Sequence, residues 1–262
     1  MKFTTGDQLN LYYECHGDPQ SPPVVLIHGI GADHEMWRPQ ITSFPAAGYY
    51  VIVPDLRGHG RSDLPVEFHI IDCARDIWEL LNVLNIDRSH LVGVSMGGMV
   101  VQQFVAQYPE RALSQVIVDS LSGVTRPVER FNAGLAAFLL RVFPQKLQTY
   151  MIRSSYKKLG HEDVGRYFED RIYHMDARWL LMARQVVNRF NLLTELPRMS
   201  TPTLVLVGDS FGNLALDMAR TTAEKIPGAQ FQVLPGGGDP SNLLVPERFD
   251  QAVFAFLERY SA

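Results

Sequence analysis

Six short apolar runs recur along the chain: "VVLIH" (24–28), "YVIVPD" (50–55), "HLVGVS" (90–95), "SQVIVDS" (114–120), "TLVLVGD" (203–209) and "FQVLP" (231–235). Each is too short for a helix and nearly continuous rather than alternating. That pattern predicts strands buried on both faces of a parallel sheet. The stretches between them, such as "DCARDIWELLNVLN" and "GGMVVQQFVAQYPER", place apolar residues at helical spacing and predict crossover helices. A final helix is predicted to start at Pro246, with Phe249, Val253, Phe256, Leu257 and Tyr260 on one face.

The alternation breaks once. Residues 122–196 contain no strand-like run but several helical ones, including "FNAGLAAFLLRVFPQKLQTYMI" and "ARWLLMARQVVNRFNLL". The expected organisation is an α/β core made of residues 1–121 and 197–262, with a helical cap inserted at 122–196. Such an insertion over the carboxyl ends of the strands is a natural pocket wall. Its Phe138, Phe143, Trp179 and Phe190 fit either an apolar ligand site or ordinary helix packing.

Composition narrows the function classes. The chain has 262 residues, 46% of them hydrophobic and 20% charged, with a net charge of -4. This is globular composition without the basic footprint of a nucleic-acid or anionic-membrane binder. Cys15 and Cys73 show neither disulfide nor zinc spacing. No metal or other cofactor is expected. The N-terminus has no signal-like apolar run and no stretch is long enough to span a bilayer, so a soluble cytoplasmic protein is expected. The sequence does not specify an oligomeric state.

The segment "LVGVSMGGMVVQQF" fits G-x-S-x-G between a predicted strand and a predicted helix. Gly93 and Gly97 allow a sharp turn that holds Ser95 with its hydroxyl exposed, and the Met96 N–H at the helix start can face a developing oxyanion. Two further motifs follow strands: "HGIG" (28–31) and "DLRGHGRSD" (55–63). Taken in order, the three motifs resemble the α/β-hydrolase superfamily, most closely its small-substrate esterases, lactonases and carbon–carbon bond hydrolases. The resemblance implies a Ser95 nucleophile, oxyanion donors at Ile30 and Met96, and a substrate bordered by His28, Gly29 and Phe211. It also implies a loop-shaping role for His28 and a turn role for His59. His34, His161 and His174 are expected to be solvated.

The resemblance fails where proton transfer is needed. The family's histidine lies seven residues before the proline opening the last helix, and that position is Asp239. The usual acid, three residues beyond Gly208, is Phe211. Asp119 and Asp209 are the alternative acids. Three readings stay open. Asp239 could serve as the base, although a carboxyl near pKa ~3.9 is a weak one at neutral pH. The oxyanion site could serve a lyase or isomerase step, with Asp239 as proton shuttle. The protein could instead bind a ligand or partner without turnover. Rescue by His161 or His174 swinging over Ser95 is a further possibility. The expected ligand is a small ester or carbonyl compound, or an apolar molecule.

Overall fold

A computed structural model describes residues 1–261. In chain order its elements are β1 (Lys2–Thr4), β2 (Asn10–His16), β3 (Pro23–Ile27), α1 (Gln40–Ala46), β4 (Tyr50–Pro54), α2 (Ile70–Val83), β5 (Ser89–Val94), α3 (Met96–Gln107) and β6 (Ala112–Val118). Helices α4 (Pro127–Val142), α5 (Gln145–Lys158), α6 (Glu162–His174) and α7 (Ala177–Arg189) follow. The chain then forms β7 (Thr203–Gly208), α8 (Asn213–Lys225), β8 (Gln230–Leu234), α9 (Ser241–Leu244) and α10 (Pro246–Leu257).

The strands form one sheet in the order β1-β2-β4-β3-β5-β6-β7-β8. From β4 to β8 neighbouring strands are parallel, as the six apolar runs predict, and β1 and β2 add an antiparallel edge. That edge was not legible as a strand pair. In β2 only Leu11 and Tyr13 are buried, so an edge ribbon carries too little apolar signal to stand out. By contrast β5 and β7 are buried at every position.

Two apolar layers sandwich the sheet. One joins Leu91 of β5 to Ile77 of α2 and Phe104 of α3, and the other joins Val92 of β5 to Phe44 of α1 and Phe249 of α10. Consecutive strand residues point to opposite faces, which is why the buried strands read as unbroken apolar runs. Pro246 does open α10, whose Phe249, Val253, Phe256 and Leu257 are buried.

Helices α4–α7 lie between β6 and β7 and contain no strand. Several of their side chains meet the loops that leave the carboxyl ends of the strands. Trp179 of α7 packs edge-on to Phe68 with ring centroids 5.0 Å apart, and Ile172 of α6 presses on Gly31. Trp179 and Phe190 are core residues, whereas Phe138 is 58% exposed and lines no cavity with Ser95. Among the described residues no helix is long and apolar enough to cross a membrane.

Candidate active site

Ser95 is the first residue beyond β5 and precedes the first turn of α3. Its backbone sits at φ 55°, ψ −119°, a region that costs a non-glycine residue about 1–3 kcal/mol. Three hydrogen bonds hold it there. Ser95 N donates to Val118 O (2.9 Å), while Gly98 N (3.0 Å) and Ser120 Oγ (2.7 Å) donate to Ser95 O. The flanking glycines are required for a different reason than the turn itself. A Cβ at Gly97 would lie 2.1 Å from Ile27 O, and one at Gly93 would lie 2.2 Å from Gly97 O. Close backbone packing excludes side chains there, and the left-handed residue is Ser95 itself.

The Ser95 hydroxyl donates to Asp239 Oδ2 at 2.9 Å. Asp239 is half-buried at the border of the cavities, and desolvation raises its pKa to about 6, with the Ser95 hydrogen bond and the charge of Arg184 opposing the rise. Tyr156 of α5 donates its hydroxyl to the Asp239 carbonyl at 2.6 Å, so a helix between β6 and β7 holds the same residue.

Asp119, the first residue beyond β6, lies behind this pair. Its Oδ1 accepts from Gly208 N (2.8 Å) and its Oδ2 from Ser241 N (2.7 Å), which ties the end of β7 to the turn carrying Asp239. Burial, and next the charge of Asp239, raise its pKa, while the two backbone donors favour the ionised form. Asp209 takes no part. Its Oδ1 accepts from Gly236 N at 2.8 Å, and it borders neither cavity that contains Ser95.

The histidines lie elsewhere. His28 is fully buried; Leu56 N donates to its Nε2 (3.0 Å), so Nδ1 carries the proton and donates to Gly29 O (2.8 Å). It shapes the loop from behind, and its ring borders no cavity with Ser95. His59 is likewise buried, beside Trp179. His34 is not solvated as expected. It is buried with Nδ1 2.8 Å from Asp55 Oδ1; burial alone would lower its pKa, but Asp55 outweighs this and raises it. His174 is 71% exposed, bonds Asp170 O and faces a different cavity, while His161 borders neither cavity with Ser95. Neither is placed to take a proton from Ser95.

Two cavities of about 440 and 450 Å³ meet at Ser95, Asp239, Phe211 and Arg184. Gly29 and Ile30 border the second, and a Cβ on Gly29 would lie 3.2 Å from that of Ser95, so the "HGIG" loop runs directly over the hydroxyl. Phe211 borders both cavities, 39% exposed, where the family pattern has its acid. Among the described residues no cluster of side chains suits a metal ion.

Sequence reasoning missed two residues, Tyr156 and Arg184. Arg184 had a readable signal. In α7 the buried positions Leu180, Ala183 and Val187 define one face, and Arg184, four residues after Leu180, falls on it.

Comparison with known proteins bears on the fold. A family model described as alpha/beta hydrolase fold matches residues 22–244. The chain is 24% identical to 3-oxoadipate enol-lactonase 1 of Acinetobacter baylyi, covering 98% of this chain and 97% of that protein. It is 27% identical to RutD of Variovorax paradoxus, to which carbamate hydrolysis is provisionally assigned, over 96% and 97% of the two chains. A thermophilic esterase of Thermogutta terrifontis, solved with malate bound, superposes with a TM-score of 0.86 at 28% identity, covering 100% of this chain and 99% of that one.

Proposed function

Because the chain belongs to the alpha/beta hydrolase fold family, we propose that it hydrolyses a small ester, lactone or related carbonyl compound through Ser95, with Asp239 as the base in place of histidine. The observation that carries this reading is the 2.9 Å hydrogen bond from Ser95 Oγ to Asp239 Oδ2. In the proposed reaction Ser95 Oγ attacks the carbonyl carbon and its proton passes to the Asp239 carboxylate. The carbonyl oxygen, now an oxyanion, is received by the N–H groups of Ile30 and Met96. Collapse breaks the bond to the leaving group, which takes the proton from Asp239. Water then attacks the acyl-enzyme, Asp239 accepts its proton, and the proton returns to Ser95 as the acid product leaves.

Burial supports this assignment by answering the weakness of an ordinary aspartate. A base with pKa about 6 is ionised at neutral pH and far stronger than one at 3.8. Asp119 is a positioning residue here, clamping the turn that carries Asp239. Helices α4–α7 are the cap, with Tyr156 fixing Asp239 from above. The relatives named for enol-lactone, carbamate and ester hydrolysis support a compact carbonyl substrate.

A fluorophosphonate probe followed by intact mass tests the nucleophile. Wild type is expected to gain one adduct and Ser95→Ala none; an unlabelled wild type beside a labelled control hydrolase would leave ligand binding without turnover as the better reading. Turnover of short p-nitrophenyl esters is expected to climb as pH rises through about 6, since only ionised Asp239 accepts the proton, and then to level off. Asp239→Asn should lower turnover by at least ~100-fold, the usual scale of a lost acid–base group.

A further inference from the structure

Among the described residues, the second cavity at Ser95 has two charged side chains, Asp239 and Arg184, and they are in different states. Asp239 is hydrogen-bonded to Ser95. The Arg184 guanidinium, by contrast, has a buried Nε without a hydrogen-bond partner and forms no salt bridge among the described residues; the charge of Asp239 favours its charged form without a direct contact. In the first cavity the other acids are already engaged. Asp119 accepts two backbone N–H groups, and Glu129 accepts from Thr125 N, Arg126 N and Arg126 Nε. In a third, largely apolar cavity of about 350 Å³, reached past Ile30 and Ile152, Arg184 is the single charged residue.

A half-buried cation without a direct ion-pair partner is costly, and a guanidinium offers a planar fork of donors suited to a carboxylate. The place of Arg184 at the junction of all three cavities aims the missing partner at the ligand. We propose that Arg184 is an anion-binding residue, and that the compound cleaved at Ser95 carries a free carboxylate that pairs with it.

The identity of the substrate class rests on the hydrolase reading above, but the pairing can be measured without turnover. Calorimetric titration of the Ser95→Ala protein with hexanoate and with hexanamide, at neutral pH, compares a carboxylate with its neutral isostere. Hexanoate is expected to bind about tenfold or more tightly, the gain of a charge-assisted pair. Adding Arg184→Gln should abolish that preference while leaving hexanamide binding nearly unchanged, and Arg184→Lys should keep part of it. Equal affinity for the two probes, or a preference that survives Arg184→Gln, overturns the inference. The thermal shift of the otherwise unaltered protein with each probe gives the same comparison should the double variant fold poorly. A labelled Ser95 without carboxylate preference would sink this inference alone. Carboxylate preference with an unlabelled Ser95 would sink the hydrolase reading and leave the anion site standing.

Discussion

A carboxyl group enclosed by protein is easiest to keep there with its proton on. For Asp239 the folded pKa, about 6, lies above the ordinary 3.8, so the folded state holds the proton more tightly than the unfolded chain. The stability this contributes is present below the ordinary pKa and is lost as pH rises through about 6. At pH 8 the ionised residue therefore costs the fold up to about 3 kcal/mol. Asp239→Asn should melt at a higher temperature than wild type at pH 8, and this advantage should fade by pH 4, in melts followed by circular dichroism. Equal gains at both pH values would show that the residue is not ionised at a cost. A variant more stable but less active is what the proposed base predicts. Asp239→His offers the complementary test, since Asp119 already lies behind this position: ester turnover should rise above wild type.

At the level of the element, the turn from β5 into α3 depends on the absence of side chains rather than on what side chains do. The 2.1 Å approach of a Gly97 Cβ to Ile27 O would involve backbone on the central parallel strands, which cannot rotate away. Gly97→Ala should cost about 3 kcal/mol or more, or prevent folding, in urea denaturation. Gly134 in α4 is the control, with nothing within 4 Å of its Cβ position. Gly134→Ala should stabilise by about 0.5–1 kcal/mol, because helix interiors favour alanine.

Across the whole molecule, stability is expected to be uneven. The sheet is buried between two helical layers, whereas α4 buries only Glu129 and exposes Val128, Phe131, Leu135 and Phe138. Few buried contacts mean local opening at low free energy. Native-state hydrogen exchange should therefore release the amides of α4 well before those of β5, and uniform protection would contradict this. An opening α4 would also widen the cavities at Ser95, because Asn132 and Ala133 line the first of them.

Periodicity and spacing were enough to make most of the fold legible. Buried parallel strands must be apolar on both faces, crossover helices must be amphipathic, and Ser95 sits in a motif whose glycines only close backbone packing requires. The same spacing located Asp239 and showed that no histidine follows His174. The β1–β2 edge escaped because an edge strand buries little. Burial and long-range contact are properties of the folded chain, and they alone decided the rest. They placed Asp119, and not Asp209, against the turn that carries Asp239, set His34 against Asp55, and left His174 in solvent. They also brought Tyr156 and Arg184, 61 and 89 residues beyond Ser95, into its cavities. Sequence fixes which groups exist and which face of an element they share. Only the tertiary structure brings Ser95 within 2.9 Å of Asp239 and surrounds that carboxyl with enough protein to raise its pKa.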